Sequence, residues 1–244
     1  MNVSEQDINI DDISRPELRP PTTYPRGSAI PPRFLPPKMP KAKPTTAPLR
    51  EALFACFRAT TRLVQPELRR QLVLVGGAAS IAHDSDLWSE DVDVAAPPNL
   101  LIEIWEKVTA GAPNFNLEPD GKISFDAPQG FRVKVDLIEI GDGTIIEQIH
   151  AAELFLEGSV ASKSDLLKLR AVTVVERGSD GELADFRWLL SEVARAGQTL
   201  PELDDEDLGY VRKAAEACFG IPGRFLVIAI LHGANLGTIL PFLL

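Results

Sequence analysis

Residues 74–96, LVGGAASIAHDSDLWSEDVDVAA, place two adjacent glycines after an apolar run and, fifteen residues on, two aspartates around a single valine. Aspartate is depleted from strands, so Asp91 and Asp93 beside Val92 and Val94 run against local propensity. On a strand, residues i and i+2 share a face, which sets these two side chains roughly 7 Å apart at Cβ. Neighbouring carboxylates repel and are costly to desolvate unless a cation holds them. A divalent metal is the natural partner, because Mg²⁺ commonly takes one or two protein carboxylates together with substrate phosphates.

Working outward, Gln71 to Val75 is a short apolar run that predicts a buried strand, with Gly76-Gly77 as its turn and Ala78 to Ala82 as a short helix. Val92 to Ala96 predicts a second strand, stopped by Pro97 and Pro98. Strands are also expected at 122–127 (KISFDA) and 131–140 (FRVKVDLIEI). In the latter, Phe131, Val133, Val135 and Leu137 point one way and Arg132, Lys134 and Asp136 the other. If that strand lies beside the Asp91 strand, Asp136 is the third carboxylate of one site. The glycines then let backbone N–H groups approach a triphosphate, with Ser80 of the short helix as a hydroxyl donor.

Helices are expected on both sides of these strands. Leu49, Leu53, Phe57 and Val64 fit one face before Pro66, and Leu100 to Val108 forms another helix. Beyond about residue 146 the pattern reads as helical: a helix capped by Ser162 or Ser164 and running to Arg177, a second from Gly181 to Gly197, and a third from Asp204 to Phe219. The expected architecture is α+β, a small mixed sheet with flanking helices followed by a helical C-terminal half. Its boundaries are a Pro-rich tail at 1–47, an αβ core at 48–145, a helical part at 146–222 and an apolar segment at 223–244.

Eleven of the twenty prolines fall in the first 48 residues, whose few apolar side chains show no period, so a disordered or polyproline-like tail is expected there. That stretch holds seven Lys/Arg against five Asp/Glu, which leaves −12 of the net −10 on the remainder. So acidic a body lacks the broad basic surface of a protein that grips nucleic acid along many phosphates. Cys56 and Cys218 are far apart with no metal-type spacing, which suits a reducing, intracellular and cytoplasmic setting. Phe225 to Leu244 is twenty residues without a charge, long enough to span a bilayer. His232, Asn235, two glycines, Pro241 and the lack of a basic flank argue against that, and membrane attachment is the weaker reading.

These residues resemble the nucleotidyltransferase superfamily of the polymerase-beta-type fold, marked by a strand, Gly-Gly, a short helix, Asp-x-Asp on the next strand and a later single Asp. Here those are Gly76-Gly77, Asp91-Val92-Asp93 and Asp136. Within it the sequence is most similar to the AbiEii and MenT type, over roughly residues 48–195. Lys168, Arg177 and Asp185 match that type's helical Lys, Arg and Asp, while Leu87 stands where its pattern has an arginine and Ser89 where it has a threonine.

The resemblance implies Mg²⁺ or Mn²⁺ on Asp91 and Asp93, with Asp136 completing a second metal position or acting as base toward an acceptor hydroxyl, and NTP as substrate cradled by Gly76, Gly77, Ser80 and Ser89. It implies transfer of a nucleoside monophosphate to an acceptor, an RNA end, a protein hydroxyl or a small molecule, with release of pyrophosphate. Lys168 would neutralise phosphate charge, and Asp185 would orient Lys168 or assist the acceptor. A toxin of the toxin–antitoxin kind is the setting it suggests; a catalytically inactive binding protein of the same fold is the rival reading. His83 is read as packing or capping the short helix rather than as a base. Trp88 is either a core anchor or a surface for a nucleobase.

Overall fold

The structure, a computed structural model, describes residues 44–197, 200 and 203–231. The Pro-rich tail up to residue 43 and the last part of the apolar C-terminal segment lie outside the described residues. In chain order the elements are α1 (Ala47–Thr61), a 3-10 turn (Arg69–Gln71), β1 (Val73–Val75), α2 (Gly76–Ala82), β2 (Asp91–Ala96), α3 (Pro98–Thr109), β3 (Phe115–Leu117), β4 (Ile123–Asp126), β5 (Arg132–Glu139), β6 (Ala152–Phe155), β7 (Gly158–Ala161), α4 (Lys163–Glu176), α5 (Asp180–Arg195), α6 (Asp205–Phe219) and α7 (Ile221–Leu231). The α+β expectation holds: among the described residues seven strands form one mixed sheet in the order β3-β4-β5-β2-β1-β7-β6, flanked by helices, and the elements described after β7 are all helices.

The sheet is built outward from β2. It runs antiparallel to β1, with Val75 opposite Asp93, and parallel to β5, with Asp93 opposite Asp136. Val92, Val94, Val133 and Val135 are buried and alternate with Asp91, Asp93, Lys134 and Asp136, so the period of two separates an apolar face from an acidic one. A one-residue slip would bury the carboxylates, which pins the register. The helix α1 packs on β2 and β5, turning in Leu49, Leu53 and Phe57, the residues its sequence period selects. Helix α3 covers β5 and β3.

The stretch after residue 146 corrects the sequence reading. Where helix was expected throughout, β6 and β7 form a hairpin, and β7 lies parallel to β1. The segment AELFLEG is made of good helix formers, and tertiary contacts override that preference. Phe155 stacks on Phe57 with ring centroids 6.0 Å apart and meets Phe54 edge-on at 5.0 Å. Glu157 at the hairpin turn is held by Arg62 and Arg69, each at 2.5 Å. Strand β3, three residues long, was also not anticipated; it is too short for a period to show.

The remaining helices follow their sequence signals. Ser162 caps α4, Ser179 and Glu182 form a capping box on α5, and Asp204 caps α6. Asp165, 2% exposed, accepts the backbone N–H groups of His150 at 2.9 Å and Ala151 at 3.0 Å, tying the start of β6 to α4. The apolar C-terminal segment begins as α7, with Leu226, Val227 and Ile230 buried. Among the described residues no helix is long and apolar enough to cross a membrane.

Phe57, fully buried, joins α1 to the unanticipated hairpin. Phe57→Ala is expected to lower unfolding free energy by about 3–5 kcal/mol, the usual cost of emptying a buried aromatic site, as read by urea denaturation. A loss below about 1 kcal/mol would show that the hairpin does not depend on this contact.

Candidate metal centre

The parallel pairing of β2 and β5 brings the three expected carboxylates together. One oxygen each of Asp91, Asp93 and Asp136 lies within 4.8 Å of the others. The set is all oxygen, the donor chemistry of Mg²⁺ or Mn²⁺ rather than of zinc. No cation-bearing side chain among the described residues forms an ion pair with any of them. Burial first, and then the charges of Asp91 and Asp136, push the Asp93 carboxyl up to about 7, against the opposing pull of Arg170 and Arg177. Such a cluster repels itself at neutral pH, and a divalent cation would relieve it.

The glycines have a more definite task than the sequence reading gave them. Gly76, the first residue of α2, has φ +65°, and a Cβ there would overlap Asp93 Oδ2 outright. A Cβ on Gly77 would come within 2.7 Å of Ser89 Oγ. That hydroxyl donates to Asp91 Oδ1 at 2.9 Å. So the first glycine makes room for one aspartate, and the second makes room for the serine that orients the other. Both missing side chains serve the convergence of the carboxylates.

Ser80 is buried on α2 and its Oγ has no well-directed hydrogen bond among the described residues. Asp185, on α5, is buried and makes a 2.8 Å ion pair with Arg170 of α4. Burial raises its pKa, while Arg170 and Ser80 act to lower it. Lys168 pairs with Asp207 of α6 at 2.5 Å, so among the described residues the ion pairs run Lys168–Asp207 and Arg170–Asp185 rather than Lys168–Asp185. His83 ends α2 and its Nε2 is 2.8 Å from Ala161 O, joining the helix to β7. Trp88 is 39% exposed. Leu87 is held through its backbone, its carbonyl accepting from Thr45 Oγ1 at 2.5 Å.

Two residues near the site were missed. Arg170 acts on Asp93 and Asp185 from α4, and its signal was the seven-residue spacing from Arg177, two turns of one helix face. Lys134 stands opposite Asp91 in the parallel register and two residues before Asp136, so it shares their face of the sheet.

No family model and no curated protein matches this chain. Among solved structures, it is similar to a candidate nucleotidyltransferase from H. pylori, at TM-score 0.43 and 13% identity over 79% of this chain and 94% of that one. It is also similar to the antibiotic-resistance factor ANT(2'')-Ia, at TM-score 0.40 and 12% identity over 73% of this chain and 96% of that one. A third likeness is to the Megavirus polyadenylate synthase, at 0.35 and 13% over 71% of this chain and 41% of that one.

A raised carboxyl pKa means that the fold favours protonated Asp93, so its contribution to stability is full below the ordinary carboxylate range and is lost as pH rises through about 7. Without metal, Asp93→Asn is therefore expected to raise the Tm at pH 8 by roughly 3 °C or more, about what 1 kcal/mol gives in a domain of this size. With millimolar Mn²⁺ the wild type should gain Tm and the variant should not. A metal-free variant that melts below wild type at pH 8 would contradict the repulsion.

Gly76→Ala adds a Cβ where Asp93 stands, and it is expected to weaken Mn²⁺ binding by at least about tenfold, the low end for disturbing groups around a metal. Calorimetric titration measures it, and an unchanged affinity would show that the contact does not position Asp93.

Proposed function

We propose that this chain transfers a nucleoside monophosphate from an NTP to an acceptor hydroxyl, using a divalent cation held by Asp91, Asp93 and Asp136. The convergence of three carboxylates beside a Gly-Gly turn is the observation that carries the reading. A cation held by Asp91, Asp93 and Asp136 would offset the charge that develops on the nucleotide phosphates. Ser89 fixes the Asp91 carboxylate through its hydroxyl. The Asp136 carboxylate takes the proton of the acceptor hydroxyl as that oxygen forms its bond to the α-phosphorus. The bond from the α-phosphorus to the bridging oxygen breaks, and pyrophosphate leaves with that oxygen.

The frame of Gly76-Gly77, Asp91, Asp93, Asp136, Lys168 and Asp185 supports the AbiEii and MenT type within this reading, and with it a toxin that modifies RNA ends, protein hydroxyls or small molecules. The acidic body favours an acceptor presented as one end or one hydroxyl over a long nucleic-acid track.

The full chain is to be incubated with Mn²⁺ or Mg²⁺, each labelled NTP, and RNA, protein and small-molecule acceptors. Label transfer is expected with at least one acceptor. Asp91→Ala and Asp93→Ala should each lower it by at least about 100-fold, the scale of losing one oriented charge at a transition state. No transfer and no metal-dependent NTP binding would sink the enzyme reading, and transfer that survives Asp93→Ala would sink this site.

A further inference from the structure

Arg170 is a charged group whose field acts on Asp93 and to which the reaction above gives no task. Its side chain is only 16% exposed, and its one ion pair among the described residues is Nη2 to Asp185 Oδ2 at 2.8 Å. A guanidinium carries five N–H donors in a flat fork, so a single ion pair leaves most of them available. That fork matches phosphate geometry and can donate two parallel hydrogen bonds to it, whereas a lysine binds phosphate as a point charge.

Folding alone gives little reason for the pair. A buried Arg–Asp contact often does no better than apolar side chains of the same size, because desolvation offsets the attraction. Asp185 is 5% exposed and lacks a well-directed hydrogen bond among the described residues, as does buried Ser80. Ser80 stands one helical turn after Gly76 and so shares its face of α2. The helix α2 packs against β2, α4 and α5, the elements that carry Asp93, Arg170 and Asp185. A line of polar groups therefore runs from Asp93 past Gly76 and Ser80 to Asp185 and Arg170. Arg170 stands at the Asp185 end of that line, at the 2.8 Å ion pair, and its charge acts on both Asp93 and Asp185. Lys168, the cation expected at the phosphates, is engaged at 2.5 Å by Asp207 of α6.

We propose that Arg170 receives phosphate oxygens of the nucleotide at the Asp91, Asp93 and Asp136 site, and that Asp185 is the positioning residue that holds its guanidinium. This rests on the nucleotide reading above. The fork of Arg170 donates to non-bridging phosphate oxygens through the N–H groups that Asp185 leaves open. Asp185 holds the guanidinium through their 2.8 Å ion pair. Arg177, two turns on and mostly exposed, adds charge at longer range.

The test measures two affinities on the full chain: Mn²⁺ alone, and each of the four NTPs with Mn²⁺ present. Arg170→Leu is expected to weaken NTP binding about 10- to 100-fold, the effect of a lost charge-assisted hydrogen bond. It should leave Mn²⁺ alone bound as tightly as before or more tightly, because a positive charge near the carboxylates has gone. Arg170→Lys should recover part of the loss, keeping the charge without the fork. Asp185→Asn should weaken NTP binding less than Arg170→Leu does.

Because Arg170→Leu strands a buried carboxylate and can fail to fold, the double variant Arg170→Leu/Asp185→Leu carries the same test with no charge left alone. NTP affinity equal to wild type in either folded variant overturns the proposal and leaves the nucleotide reading standing. A fall in Mn²⁺ affinity in step with NTP affinity overturns it too, since that marks collapse of the site. So does a larger loss from Lys168→Leu than from Arg170→Leu. If the wild-type chain binds no NTP with Mn²⁺, the nucleotide reading fails first, and this proposal with it.

Discussion

The close approach of α2 to the Asp93 carboxylate governs this structure. β1 ends at Val75, directly opposite Asp93, and the chain must turn into a helix at that point without a side chain in the way. Glycine at 76, with φ +65°, meets that demand, and glycine at 77 extends it to Ser89 and through Ser89 to Asp91. The parallel register of β2 and β5 then supplies Asp136 at the level of Asp93. Displacing β2 by one residue would move the carboxylates to the face occupied by Val92 and Val94 and lose both the core and the cluster.

The cluster works against the stability of the fold that builds it. Three carboxylates within 4.8 Å, one with its pKa pushed up to about 7, represent repulsion that a chain selected for folding alone would shed. The apolar side of the same strands, with Val92, Val94 and Val133 fully buried, holds the register against it. The pair Arg170–Asp185 has the same character on a smaller scale, a buried charge contact whose folding value is low.

Much of this was legible in the sequence. The period of two in FRVKVDLIEI assigned Val133 and Val135 to the core and Asp136 to the other face, and the aspartates beside Val92 marked a strand whose propensity had been overruled. The Gly-Gly pair was recognisable, but as a phosphate cradle; that it clears space for Asp93 and Ser89 depends on a contact across strands, which spacing does not encode. The hairpin of β6 and β7 was hidden because AELFLEG is locally helical and turns to strand only through β1, Phe54 and Phe57. Arg170 was visible as one more helix charge, and only its burial against Asp185 set it apart.

We propose that Asp91, Asp93 and Asp136 together hold a divalent cation that meets a nucleotide. Anomalous diffraction from crystals of the chain grown with Mn²⁺ and a non-hydrolysable NTP analogue tests it most directly. A manganese peak among the three carboxylates, with the analogue's phosphates on its open side, is the predicted result. Manganese at other groups, or an analogue bound away from these aspartates, would contradict it.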